Sequence, residues 1–264
     1  MDNIVCMKWG SRYSPEYVNI LADSVRRHMV RPYRFVCFTE DAEGITPDVE
    51  IRPLPHMELN PELPERGWRK LTMFQASLAD LEGTALFLDL DIVVMNSLDP
   101  FFDVPGGFRI IKDWNLSGSW IGNSSVFRFE IGKHQDVLDY YVNNGNKVRK
   151  AHRNEQAYLS WAMKKKGLLE YWDPDWCVSF KRSCIRSVPM SLFIEPKRPS
   201  AQTRIVVFHG SPNPHQVLGG WSCPGKLRFV RPTAWIGDNW RRGGPASGEE
   251  GEKEGSQGAK SRKD

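Results

Sequence analysis

The chain has no run approaching the ~20 consecutive apolar residues that cross a bilayer as a helix, so no membrane-spanning helix is expected. Its start, Met1 to Lys8, enters a strand-like pattern at once and lacks the composition of a signal peptide. Cysteine is scarce: five residues, an odd number and widely spread, give no disulfide framework. Cys177, Cys184 and Cys223 lack the close pairing of zinc ligands. Reduced thiols and a cytoplasmic location are the expectation. Glycine-rich phosphate loops are missing too. There is no Gly-x-Gly-x-x-Gly and no Walker A pattern, so neither a dinucleotide nor a P-loop site is indicated. Charge is nearly balanced at +4, and the basic residues form no stripe. A nucleic-acid partner is therefore not expected. An anionic small molecule fits the small excess, as does peripheral contact with a membrane surface.

A length of 264 residues suits one domain, or one domain with a small lobe. Ten tryptophans are many. Sugars and nucleobases are often held on aromatic faces, but tryptophan is equally good core material. From Gly243 the chain is mostly Gly, Ser, Glu and Lys, and its apolar side chains are Pro245, Ala246 and Ala259 alone. Such a segment cannot bury enough surface to fold. The chain thus divides into a folded domain, 1–242, and a disordered tail, 243–264.

Within the domain the pattern is α/β. Ile4–Met7 reads as a strand. Ser14 and Pro15 then open a helix with apolar positions at Tyr17, Ile20, Leu21 and Val25. Strand–loop–helix at the start suits a nucleotide-binding fold, and Tyr13 in that loop can stack on a base or simply cover the core. Tyr33–Thr39 and Val49–Leu54 are further strands. Trp68, Leu71, Phe74, Leu78 and Leu81 mark a helix. Arg69 and Lys70 in its first turn oppose the helix dipole, which a bound phosphate would explain. Phe108–Lys112 and Ser125–Phe129 are strands, and Asn115–Asn123 a polar loop. Gln135–Asn144 is a helix, and Lys147–Arg153 a basic loop. Asn154 caps another helix over 155–166. Ile205–Phe208 is the last clear strand and delivers His209 and Gly210 to a Pro-rich loop.

The centre of the pattern is Thr84–Asp99. Ala85–Leu88 is continuously apolar, a strand buried on both faces. It runs straight into Asp89-Leu90-Asp91. Residues i and i+2 point the same way, so the two acids can converge at the carboxyl end of a central strand, where open α/β sheets bind ligands. Two such carboxylates repel unless a cation sits between them, and hard oxygen ligands suit Mg²⁺ or Mn²⁺. A lone Asp-x-Asp also reads as a strand ending in a solvated acidic turn. His209, at the end of a second apolar strand, is a further candidate ligand.

Taken in order, these residues resemble the GT-A-fold glycosyltransferases, most closely glycosyltransferase family 8, over roughly residues 3–215. The segments that carry the resemblance are the first strand with Tyr13, Lys70, Phe87-Leu88-Asp89-Leu90-Asp91, Gly122-Asn123-Ser124-Ser125, Glu155-Gln156 and His209-Gly210. It implies a single GT-A-like Rossmann-type domain with a mixed central sheet flanked by helices. It also implies transfer of a sugar from a UDP- or GDP-sugar to a glycan or lipid-linked acceptor, with retention of configuration. Asp89, Asp91 and His209 would hold Mn²⁺ or Mg²⁺. Asp91 and Gln156 would serve catalysis, and Tyr13, Lys70, Asn123, Glu155 and Gly210 would bind substrate. The sequence departs from the family at Glu155, where Asp is usual, and at Ser125, where Gly is usual. The lysine expected after the late histidine is absent, and His215, Arg12 and Lys70 are its candidate replacements. Two other classes share parts of the pattern. Haloacid-dehalogenase-like phosphatases have an Asp-x-Asp nucleophile, but that strand opens their core, and they need a later acidic pair. A non-catalytic nucleotide-sugar-binding protein differs only in lacking turnover.

Overall fold

The computed structural model describes residues 1–60, 62, 64–114, 118–223, 225 and 228–243. Along the chain, β1 (Asp2–Lys8) leads into α1 (Pro15–His28), β2 (Tyr33–Thr39) and β3 (Glu50–Pro53). A 3₁₀ helix, Trp68–Phe74, precedes β4 (Thr84–Leu88), β5 (Ile92–Val94) and the short α2 (Pro100–Asp103). Then come β6 (Arg109–Lys112), β7 (Gly122–Glu130), α3 (Gln135–Ala151), α4 (Glu155–Lys165), β8 (Glu170–Tyr171) and β9 (Cys177–Ser179). A π-helical turn, Phe180–Cys184, is followed by α5 (Met190–Phe193), β10 (Ile205–Val207) and α6 (Pro214–Leu218). The hairpin strands β11 (Trp221–Cys223) and β12 (Arg228–Val230) and α7 (Ala234–Asn239) complete the described chain.

Seven strands form the main sheet in the order β3-β2-β1-β4-β7-β6-β8. The first four run parallel, β7 is antiparallel to β4 and β6, and β8 is parallel to β6. This is the mixed α/β sheet expected. The apolar run of β4 is central because both of its faces are covered. Ala85 and Phe87 face a cluster with Trp68, Phe127 and Tyr158, while Leu86 and Leu88 face one with Val18 and Leu21 of α1. Phe87 stacks on Phe127 with ring centroids 4.7 Å apart; burying one such ring contributes roughly 1.5–3 kcal/mol.

At Asp89 the chain leaves this sheet. β5 instead opens a second, three-stranded sheet, β5-β10-β9, antiparallel to β10 with Val93 opposite Val206. The Asp89–Asp91 turn is pinned from both sides: Asp89 N–H donates to Ser125 O at 2.9 Å, and Phe208 N–H donates to Asp91 O at 3.1 Å. The acids therefore sit on a rigid junction between two sheets.

Several expectations change. The helix expected through Leu81 ends at Phe74, because Gln75 turns extended (φ −60°, ψ 149°) and Ala79 takes φ 51°. Leu78 and Leu81 are buried in the core nonetheless, which is why their spacing mimicked a helix. Most of the basic stretch expected as a loop, residues 147–151, is instead the last part of α3, which continues beyond a kink at Asn144 (φ −133°, ψ 21°); His152 and Arg153 follow it outside the helix. Gly122 and Asn123 belong to β7 and not to a loop. Ser14 precedes α1 but makes no side-chain cap bond, whereas Asn154 caps α4 by accepting from Ala157 N–H at 3.2 Å. Gly243, expected in the tail, is tied to α1: its N–H donates to Asp23 Oδ2 at 2.8 Å. Residues 244–264 of the expected tail lie outside the described residues. Among the described residues no helix is long and apolar enough to cross a membrane, and all five cysteines are free thiols.

Candidate active site

A cavity of about 510 Å³ opens at the carboxyl end of β4. All nine residues singled out in the sequence line it: Tyr13, Lys70, Asp89, Asp91, Asn123, Glu155, Gln156, His209 and Gly210. A larger groove, about 920 Å³, lies between residues 56–60 and α3. It holds none of them.

The two acids have different partners. Lys70 Nζ lies 2.7 Å from Asp89 Oδ1 and donates to Asp89 Oδ2 at 2.8 Å and to Ser124 O at 3.3 Å. This ion pair explains a lysine in the first turn of the 3₁₀ helix. Burial alone would lower the Lys70 ammonium, but the charges of Asp89 and Glu155 outweigh it and raise its pKa. Arg69 of the same turn pairs instead with Glu65 at 2.5 Å. Asp91 is buried and accepts from Tyr13 OH at 2.7 Å. Burial first, and the Asp89 charge second, push its carboxyl up to about 7. Burial and the Asp91 charge also raise the Tyr13 phenol, which stays a donor. Arg12 lies over the Tyr13 ring at 5.2 Å.

The opposite wall comes from β7 and the start of α4. Asn123 Oδ1 accepts from Ser125 N–H at 3.0 Å. Glu155 is buried, and Ser124 OH donates to it at 2.5 Å; burial raises its carboxyl above the usual range, against the lowering pull of Lys70. Gly67, at φ 80°, lets the backbone pass that carboxyl, since a Cβ there would meet Glu155 at 3.0 Å. Gln156 Nε2 donates to Asp113 Oδ2 at 3.2 Å.

His209 is held otherwise than expected. Its Nε2 shares a 2.7 Å hydrogen bond with Ser179 Oγ, its ring stacks on Trp114 with centroids 5.8 Å apart, and its carbonyl accepts from Lys181 Nζ. Burial, then the Lys181 charge, pushes the imidazole down to about 4. Among the described residues no three His, Cys, Asp or Glu side chains gather closely enough to hold a metal. Of the three side chains expected to share a metal, Asp89 and Asp91 lie side by side along the chain, while His209 lines the same cavity with its Nε2 engaged by Ser179. Of the replacements for the absent lysine, Arg12 and Lys70 line the cavity. His215 does not; its Nδ1 lies 2.5 Å from Tyr17 OH. Asp113, Trp114, Ser179 and Lys181 were missed. Asp113 alone carried a signal, an acid at the end of a strand, although that strand closes on Lys112 and not on an apolar residue.

No known family profile matches the chain, and no curated protein matches it by sequence. Solved structures do match in shape. The galactosyltransferase LgtC in complex with donor and acceptor sugar analogues is 16% identical, with 81% of this chain and 89% of that chain covered and a TM-score of 0.54. An active-site mutant of LgtC gives 16%, 81%, 89% and 0.53. The glycosyltransferase GlyE of Streptococcus pneumoniae TIGR4 is 11% identical, with 82% of this chain and 57% of that chain covered and a TM-score of 0.52. The chain has the GT-A-like fold of these glycosyltransferases. At such identities the likeness speaks for the fold alone.

Proposed function

We propose that the protein is a metal-assisted glycosyltransferase moving a sugar from a UDP- or GDP-linked donor to a glycan or lipid-linked acceptor. The observation that carries this reading is the convergence of Tyr13, Lys70 and the Asp89–Asp91 pair on one cavity between two sheets. The fold shared with LgtC, whose structure holds donor and acceptor sugar analogues, supports it.

The oxygen donors fit a hard divalent cation, because a buried carboxyl at about 7 beside a second acid is short of positive charge. Asp89 and Asp91 would hold Mn²⁺ or Mg²⁺, which when bound would supply positive charge for a departing diphosphate. Lys70 adds a second, permanently charged group on the same side. Tyr13, backed by Arg12, offers its ring to the base. The amides of Asn123 and Gln156 and the carboxyl of Glu155 are suited to sugar hydroxyls. Gly210, at φ 72°, lets a diphosphate approach the backbone. No residue is assigned as a covalent nucleophile. Retention of the anomeric configuration and a cytoplasmic location, in keeping with five free thiols, belong to the same reading.

The phosphatase alternative lacks its later acidic pair: β10 runs on into Phe208 and His209, and the fold is that of glycosyltransferases. A binding protein without turnover is separated by assay. A panel of UDP- and GDP-sugars incubated with Mg²⁺ and followed by proton NMR should show one donor consumed, with free sugar or a transfer product of the same anomeric configuration. Inorganic phosphate as the only product, or donor binding without consumption, would reject the proposal.

A further inference from the structure

The described surface concentrates its exposed apolar side chains in one place. Val188 is 46% exposed, Met190 46%, Leu192 38%, Phe193 77% and Ile194 45%, all within one loop. Other exposed apolar residues, such as Val30 and Leu168, stand apart in sequence. Scattered residues of that kind need no explanation, whereas a contiguous patch marks a contact surface. The loop is closed at its neck, where Lys197 N–H donates to Cys184 O at 2.8 Å. It satisfies much of its own backbone: Ser191 N–H bonds Ser187 O at 3.1 Å, Leu192 N–H bonds Pro189 O at 3.0 Å, and Ile194 N–H bonds Met190 O at 2.9 Å. Arg186 Nε holds Glu195 O at 3.0 Å. A tip built this way can enter an apolar medium without stranding those peptide groups.

Charge identifies the medium. Between residues 181 and 198 stand Lys181, Arg182, Arg186, Lys197 and Arg198, against the single acid Glu195. The excess of this segment equals the whole chain's +4, so the remainder of the chain is balanced. An apolar tip with a cationic collar matches the boundary of a bilayer bearing anionic headgroups.

We propose that the loop from Ile185 to Arg198 is a membrane-docking element, whose apolar tip enters the headgroup region while the flanking cations bind anionic lipid. Its base is joined to the cavity wall. The π-helical turn leading into it is capped by Ser179, hydrogen-bonded to His209, and Lys181 in that turn donates to the His209 carbonyl. Docking would therefore present a bilayer-borne acceptor near the donor cavity, a clause that rests on the glycosyltransferase reading.

The test is co-sedimentation of the full chain with phosphatidylcholine vesicles, with and without phosphatidylglycerol. Binding is expected to the anionic vesicles and to weaken with salt. Phe193→Ser with Ile194→Ser, and separately Lys197→Glu with Arg198→Glu, should each lower partitioning by ~10-fold or more. Both changes are on exposed side chains, and thermal-shift binding of UDP and GDP should be unchanged in them. Three results would overturn the proposal: no sedimentation of the parent chain, equal binding by the variants, or self-association lost in the Phe193/Ile194 variant without vesicle binding. Vesicle binding without any nucleotide binding would uphold the membrane surface and remove the donor reading.

Discussion

Lys70 Nζ stands 2.7 Å from Asp89 Oδ1, joining the helical turn before β4 to the acid that ends it. The pair places one positive charge permanently beside the acidic turn. Asp91, two residues on, accepts instead from the Tyr13 hydroxyl. The site is therefore asymmetric, with one acid paired to a lysine and the other held by a phenol.

Replacing Lys70 by Met should leave Asp89 without its ion-pair partner, beside the charge of Asp91. Breaking a largely buried pair costs about 3–5 kcal/mol; with Asp89 about one-fifth exposed (21%), the loss should be nearer ~2–3 kcal/mol. Urea unfolding of Lys70→Met measures it. An unchanged midpoint would show that the ion pair holds nothing in place.

Asp91→Asn should act in the opposite direction when no metal is added. A carboxyl raised to about 7 binds its proton more tightly folded than unfolded, where ~3.9 is usual. Between those values the folded chain holds the extra proton, so this group's stabilising contribution is present at low pH and fades as pH rises through 7. Asn cannot ionise and can still accept from Tyr13. Above pH 7 the variant should be the more stable protein by on the order of 1–3 kcal/mol, and the gap should close toward pH 4. A variant less stable than the parent at pH 8 would contradict the assignment.

The His209 imidazole, pushed down to about 4, should titrate far below the usual ~6.5. Between these values the unfolded chain takes up a proton that the folded chain refuses. Its contribution to stability is thus complete above ~6.5 and is lost as pH falls toward 4. Histidine NMR titration, assigned with His209→Gln, should place the midpoint near 4. A midpoint at or above the ordinary value would free His209 from Ser179.

Much of this was legible in the sequence because the signals were local. A doubly buried strand such as β4 reads as an unbroken apolar run, and the acids follow it directly. The segment 68–81 misled because Leu78 and Leu81 are buried through a turn, and burial alone produced helical spacing. The partner of His209 was hidden for another reason. Ser179 reaches it only through the parallel pairing of β9 with β10, three residues each, with Ser179 opposite Val207. No sequence period reveals a contact across 30 residues. The apolar loop at 188–194 was hidden as well, since exposure is a property of the fold.

The chain's end offers a further check. Asp23 Oδ2 accepts from Arg242 Nε and Gly243 N–H, each at 2.8 Å, and Arg27 holds Gly243 O at 2.6 Å. Although burial opposes it, these partners lower the Asp23 carboxyl, so its contribution is present above the unfolded value near ~3.9 and is lost below it. A chain ending at Gly243 should melt like the full chain. One ending at Arg241 should lose ~1–2 kcal/mol at neutral pH. Equal melting of all three would show that the Asp23 contacts are idle.

The most direct test of the central claim is calorimetric titration of UDP and GDP into the parent chain and into Asp91→Asn, with and without Mn²⁺. The account predicts that one nucleotide binds the parent and is tightened at least ~10-fold by Mn²⁺, and that Asp91→Asn abolishes this gain while the protein stays folded. Binding that ignores both Mn²⁺ and the substitution, or no binding of either nucleotide, would contradict it.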